Sequence, residues 1–256
     1  MVRHLQKWNG AGNDFLVDVA PAIELQAWDA AAAVAVCDRE RGLGADGLLL
    51  AACDDNTVTM TLFNADGSIA EMSGNGIRCL VAAVRRATNA TWSEVRVNTL
   101  AGPRTVTLQM NSETEGHGTA LMGSVAFLAA PEGSLGAVDV GNPHVVVRDD
   151  ETWRTDDRER IASAMQAAMP EGANVEFVTV THPGRVSIRV FERGVGWTQA
   201  CGTGSVATAA VLHSLDIVGP RIVVENPGGE LVVSLQGSEA TLGGPVVFEG
   251  DREWTI

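Results

Sequence analysis

The sequence predicts an α+β fold built as two pseudo-symmetric duplicated halves, residues 1–116 and 117–256, and three observations carry that reading. Separate segments recur in the same order about half a chain apart. The recurring segments switch between strand-type and helix-type patterning in step. A Gly-rich turn opening an apolar run stands at the centre of each copy.

The clearest repeat pairs Val58–Phe63 (VTMTLF) with Val186–Phe191 (VSIRVF) at an offset of 128 residues. Ten residues after each phenylalanine comes a turn, Ser73-Gly74-Asn75-Gly76 in one copy and Cys201-Gly202-Thr203-Gly204 in the other. Further out, Gly12–Phe15 precedes Gly141–His144 by 129 residues and Gly44-Ala45 precedes Gly172-Ala173 by 128. Val95–Gln109 aligns without a gap to Ile222–Gln236. Ordered recurrence of this kind marks a duplicated structural unit.

Each half reads alike. A strand carrying the Gly-Asn element leads to a helix, Ile23–Arg39 or Asp156–Met169, with Asp156 a candidate N-cap. Ala30–Val36 is apolar over most of its circumference, which predicts a well-buried helix. The next strand alternates, through Val58, Met60 and Leu62 or Val186, Ile188 and Val190, and so buries one face. After the Gly-rich turn come the apolar stretches Ile77–Val84 and Ser205–Leu212, read as helices, then two strands broken by Gly-Pro or Pro-Gly-Gly. The polar segment Asn111–Gly118 is expected to join the halves, and the last strand, about 245–256, to pack back on the first.

With 256 residues, 45% of them hydrophobic, the chain can bury one large core or two modest ones. Its 18 Lys and Arg against 32 Asp and Glu give a net charge of −14, with no basic cluster. Nucleic acid and anionic membrane are therefore not expected partners, since both reward a basic face. The longest apolar runs, such as Leu48–Cys53, fall far short of a membrane span, and Met1–Gly10 has no apolar signal character. The expectation is a cytoplasmic protein. Cys37, Cys53, Cys79 and Cys201 form no Cys-x-x-Cys pair, so neither a metal site nor a disulfide framework is expected.

A strand that runs through a Gly-rich turn into a helix leaves the first backbone amides unpaired, which makes the helix mouth an anion site. Ser73 and Cys201 occupy equivalent positions at two such mouths. If the pseudo-symmetry brings the mouths together, the two side chains approach one carbon from opposite faces. That suits removal of a hydrogen on one side of a stereocentre and its replacement on the other. A helix N-terminus is expected to lower the Cys201 thiol toward neutral pH. Two helix termini supply about 1–2 kcal/mol each to a developing carboxylate charge, so the site should also close and exclude water.

Asn64-Ala65-Asp66-Gly67-Ser68, Ser73–Arg78, Glu192-Arg193-Gly194-Val195-Gly196 and Ala200–Gly204 together resemble the diaminopimelate epimerase family. Gly12–Phe15, Gly42–Asp46, Gly141–His144, Asn174-Val175 and Asn226–Gly229 match as well, so the resemblance spans nearly the whole chain. It implies mixed β-strands wrapped around a central helix in each half. It also implies a cofactor-independent isomerase interconverting LL- and meso-2,6-diaminopimelate for lysine and peptidoglycan synthesis, and a homodimer.

On the same resemblance Cys201 is one acid/base residue, and Ser73 stands where the family usually has its second cysteine. The amides of Gly74, Asn75, Gly202 and Thr203 hold the carboxylate at the reacting carbon. Asn13, Asn64, Asn142, Asn174, Glu192 and Arg193 read the distal amino-acid end, and His144 assists. A second zwitterion needs such a mixture of cation, anion and neutral partners. By its residues alone, His144 equally suits a packing role after a Pro turn.

Three departures bear on chemistry. Ser73 offers a hydroxyl, a far weaker acid than a thiol, although related enzymes of the proline racemase group use Ser/Cys pairs. Gly47 replaces a Gln common in relatives and removes one side-chain contact. Trp197 replaces a Glu and is expected to dry or narrow the site. These leave open an epimerase, racemase or dehydratase of the same fold for another amino acid, or a form that only binds its ligand. Cys79 reads as a core thiol. His4, His117, His182 and His213 read as surface or packing residues. Asp54-Asp55, Asp149-Asp150 and Asp156-Asp157 read as solvated turns or helix starts.

Overall fold

The computed structural model describes residues 1–54 and 57–256, so Asp55 of the turn expected at Asp54-Asp55 lies outside the described residues. The chain forms two compact units, Met1–Ala120 with Gly244–Ile256, and Leu121–Gly243.

The first unit contains β1 (Val2–Gly10), β2 (Asn13–Ala20), α1 (Ala22–Leu25), α2 (Ala30–Cys37), β3 (Gly47–Asp54), β4 (Thr57–Asn64) and β5 (Ile69–Ala70). Then follow α3 (Gly74–Thr88), β6 (Glu94–Thr99), β7 (Gly102–Met110) and β8 (Glu115–Ser124). The strands run in the order β8-β7-β6-β4-β3-β2-β1-β17, where β17 is Glu239–Thr255. Because β17 pairs with β8 as well as β1, this sheet closes on itself as a barrel.

The second unit contains β9 (Ala126–Leu128), β10 (Gly136–Asp139), β11 (Pro143–Arg148), α4 (Thr155–Ala168), β12 (Asn174–His182), β13 (Arg185–Glu192) and β14 (Gly196–Thr198). It is completed by α5 (Gly202–Ser214), β15 (Arg221–Asn226), β16 (Gly229–Gln236) and the start of β17. Its pairings repeat those of the first unit. β11 and β12 are parallel as β2 and β3 are, and β12–β13 is antiparallel like β3–β4. Val186 meets Val224 across the parallel β13–β15 pair as Val58 meets Val97 across β4–β6.

Strand alternation explains why the sheets enclose a helix. In the first unit α3 packs on β1, β2, β3, β4 and β7, and every residue from Gly74 to Val84 is buried. In the second, α5 packs on β10, β11, β12, β15 and β16, with Gly204–Leu212 buried. α5 is apolar nearly all round and is stable only when surrounded, whereas α3 buries Arg78 among its apolar residues and turns Arg86 outward in its last turn. The other sheet face carries a second layer, where Leu16, Leu48 and Leu50 pack with Leu25, Trp28 and Val36. Each such side chain stabilises the fold by about 1.5–3 kcal/mol.

Several local expectations change. The expected helix Ile23–Arg39 is two helices, because the Asp29 side chain accepts the Ala32 amide at 2.8 Å and starts α2 afresh. That helix is only half buried, with Ala33, Val36 and Cys37 inward and Val34 42% exposed. Alanine fills an outer face as readily as an inner one, so apolar character overstated its burial. The N-cap of α4 is Arg154, whose amide donates to Asp157 at 3.0 Å, and Asp156 sits in the first turn. Asp149 is no solvated turn residue but pairs with Arg158 at 2.7 Å, both largely buried. Residues 111–118 form the β7–β8 hairpin and its first pairs, and the chain passes into the second unit within β8.

Candidate active site

In the second unit Cys201 is the N-cap of α5, with extended backbone at φ −131° and ψ 114°. Its Sγ accepts the Gly204 amide at 3.3 Å and lies 3.5 Å from Thr203 Oγ1. The first helix bond runs from Ser205 N to Cys201 O at 3.0 Å, which leaves the Gly202 and Thr203 amides ahead of any intrahelical acceptor. Asn226 braces the turn by accepting the Cys201 amide at 3.3 Å and donating to Ser205 Oγ at 3.2 Å.

Carboxylates crowd this mouth. Glu192 accepts from Thr198 Oγ1 at 2.8 Å and lies against the Cys201 thiol. Burial raises the Glu192 carboxyl above the usual range. Burial also pushes the Cys201 thiol strongly up, and the charges of Glu192 and Glu176 push the same way. The expected lowering by the helix terminus is therefore overridden, because desolvation and two neighbouring anions outweigh one set of amide dipoles. His144 is fully buried, with Nδ1 2.7 Å from Glu176 Oε1 and Nε2 3.0 Å from Asn142 Oδ1. Asn174 accepts the Arg193 amide at 2.9 Å. The exposed Arg193 guanidinium donates to the Glu171 carbonyl and folds over Gly172, where a Cβ would come within 2.9 Å of Arg193 Cδ.

In the first unit Ser73 is the N-cap of α3, at φ −133° and ψ 126°, and its Oγ accepts the Gly76 amide at 3.0 Å. Gly74 and Asn75 open the helix. Asn75 donates to Asn13 Oδ1 at 2.7 Å and accepts from Arg78 at 2.9 Å, while Arg78 also donates to Gly74 O at 2.7 Å. Arg78 has no exposed surface, and burial lowers its guanidinium to about 10. Asn13 in turn donates to Asp46 at 3.2 Å. Burial alone would raise the neighbouring Asp14, but Arg39 and Lys7 hold its carboxyl below the usual range. Asn64, exposed at the end of β4, pairs with Gly47 next to Asp46 and donates to Ser68 Oγ at 2.9 Å.

Two departures look different in place. Trp197 points away from Cys201 into the core beneath α4, edge-on to Phe191 at 5.2 Å and donating to Glu159 at 2.9 Å. Alternation along β14 gives the Cys201 side to Thr198, so the indole neither dries nor narrows this mouth. Gly47 pairs with Phe15 where the second unit pairs Asn174 with His144. A Cβ there would meet the Phe63 carbonyl at 2.8 Å, so this backbone has no room for a glutamine. Cys79 is fully buried, and burial raises its thiol to about 12.

Glu176, Asn226, Thr198, Asp46 and Arg78 were missed as site residues. The signal for Glu176 was one acid inside the apolar strand Asn174-Val175-Glu176-Phe177.

This barrel-like, sheet-rich fold with few helices is that of solved isomerases. A hydroxyproline epimerase from Agrobacterium vitis superposes with a TM-score of 0.71 at 18% identity, covering 98% of this chain and 92% of that one. A predicted epimerase from Pseudomonas aeruginosa gives a TM-score of 0.77 at 14% identity, covering 99% of each chain. The diaminopimelate epimerase of Mycobacterium ulcerans is 38% identical over 97% of both chains. That of Mycolicibacterium gilvum is 37% identical over 94% of this chain and 93% of the relative. The diaminopimelate epimerase family model matches residues 6–128 and 136–250. The chain belongs to the diaminopimelate epimerase family, a family of isomerases. Among the described residues no helix is long and apolar enough to cross a membrane.

Proposed function

We propose that the chain interconverts LL- and meso-2,6-diaminopimelate by two-sided proton transfer at the α-carbon, with Cys201 and Ser73 as the two acid/base residues. One observation carries the assignment of the pair. Ser73 and Cys201 cap equivalent helices with nearly the same backbone, and each accepts the amide of the glycine three residues on. Pseudo-symmetric halves with a central helix in each, a homodimer and a place in lysine synthesis belong to the same reading, on the family resemblance.

The proton inventory follows from the site. Cys201 passes its thiol proton to Glu192, the carboxylate that lies against it; burial raises both groups, so this transfer is uphill and the thiolate it leaves is a minor, strongly basic species. The resulting thiolate removes the α-hydrogen as a proton, and the electron pair of the C–H bond moves into the carboxylate. Amides of Gly74, Asn75, Gly202 and Thr203 hold that carboxylate. The Ser73 hydroxyl gives its proton to the opposite face; as product leaves, the proton held on Glu192 is released to solvent and water returns one to the Ser73 oxygen, so Glu192 is again a carboxylate and no net proton is gained or lost. Without thiol acidity on that side, the serine half-step is the slower one. Asn13, Asn64, Asn142, Asn174 and Arg193 orient the distal amino-acid end.

The test is incubation of the enzyme with LL- or meso-diaminopimelate in heavy water. Deuterium should enter the α-position and the isomers should equilibrate. Exchange with proline-type substrates and none with either diaminopimelate isomer would replace the assignment with another racemase of this fold.

A further inference from the structure

We infer that Glu176 is a positioning residue of the Cys201 mouth, holding His144 in one tautomer so that Nε2 is the nitrogen that handles protons on the substrate side. This rests on the reading that the mouth is a half-site of the epimerase.

Two independent observations carry it. First, Glu176 is fully buried on β12, where its strand neighbours on either side are Val146 and Val190. A valine would suit packing there, yet a carboxylate is kept with Oε1 2.7 Å from His144 Nδ1. Its Oε2 has no hydrogen-bond partner among the described residues. A buried charge with half its acceptors idle is costly, so packing does not account for it. Second, the helix start is built around this group. A Cβ on Gly204, whose amide donates to Cys201, would lie 2.6 Å from Glu176 Oε1 and 3.2 Å from its Cδ and Cγ. Glycine at 204 is what allows the carboxylate to sit beneath the thiol's own turn.

The tautomer follows from donor and acceptor roles. A carboxylate only accepts, so the ring proton stays on Nδ1 and Nε2 faces Asn142. Asn142 can serve either state of Nε2, accepting through oxygen when the nitrogen carries a proton and donating through its amide group when it does not. The titratable groups facing Glu176 are His144 from β11, Glu192 from β13 and the Cys201 thiol from the α5 mouth. His144 is the one cation-forming side chain among them, and Glu176 decides which of its nitrogens is available.

The test is Glu176→Gln, which keeps the shape and can present an N–H to Nδ1. Nitrogen-15 NMR of wild type should show His144 protonated at Nδ1, and the variant should lose that preference. kcat for epimerisation should fall at least tenfold with KM changed less than twofold. An unaltered His144 tautomer with unaltered kcat in the variant overturns the inference. If the variant fails to fold, the wild-type spectrum decides, since a bare Nδ1 also overturns it. Wild type that shows the tautomer but exchanges no substrate proton would remove the epimerase reading and leave the Glu176–His144 assignment standing.

Discussion

Ser73 and Cys201 are structural equivalents with different chemistry: Oγ of one accepts the Gly76 amide at 3.0 Å, and Sγ of the other accepts the Gly204 amide at 3.3 Å. The mouths differ in the atom offered and in what surrounds it. Carboxylates stand around the sulfur, whereas a phenylalanine, Phe15, replaces His144 in the matching strand pair of the first unit.

On the proposed assignment of Ser73 and Cys201 as the acid/base pair, Ser73→Cys should raise the turnover, because the weaker acid/base is replaced without disturbing the cap. The expected gain is about tenfold or more in the LL-to-meso rate, followed by the change in optical rotation. A rate unchanged or lower in a folded variant would mean that Ser73 is not the limiting partner.

Gly204→Ala should abolish turnover while Gly76→Ala only weakens it. The added methyl at 204 meets the buried Glu176 carboxylate at 2.6 Å, whereas at 76 it meets Ser73 Cβ at 3.1 Å. Heavy-water exchange assays on both variants, with circular dichroism to check folding, compare the two. Equal losses would argue against the carboxylate as the cause.

The Cys201 thiol should alkylate slowly at neutral pH and faster as pH rises, since a raised thiol holds its proton through neutrality. Glu192→Gln removes one adjacent negative charge, so the thiol falls and the rate at pH 7 should climb, roughly tenfold per unit of pKa. Iodoacetamide labelling read by mass spectrometry over pH 6–10 measures this. A slower reaction in the variant would reverse the sign of the electrostatic argument.

Trp197→Leu should cost stability without touching substrate affinity. The indole packs on Phe177 and Phe191 and bonds Glu159, so its loss should lower unfolding free energy by about 1–3 kcal/mol in urea titrations. A several-fold rise in KM would instead place the ring at the substrate.

The recurring strand pairings were legible because repeated strands must keep both their apolar period and their spacing to rebuild the same pairings. The two turns were legible for the same reason, since a helix mouth needs small residues at fixed offsets. What the sequence hid was three-dimensional. Nothing in its order says that Glu176 lies under Gly204, that Trp197 faces the α4 core, or that Gly47 is hemmed by the Phe63 carbonyl. The thiol's raised state was also out of reach, because it depends on burial and on acids 9 and 25 residues away in the chain.

The strand β17 begins in one unit and ends in the other, where Arg252 to Thr255 pair with Val2 to Leu5. A ribosome making this protein emits the whole first barrel except the stave that closes it, and must then synthesise the second unit before supplying that stave. Until release, β1 and β8 present open edges. The gene cannot be cut at residue 120 into two self-sufficient parts, and a fragment ending there should aggregate unless a peptide spanning residues 244–256 is added back.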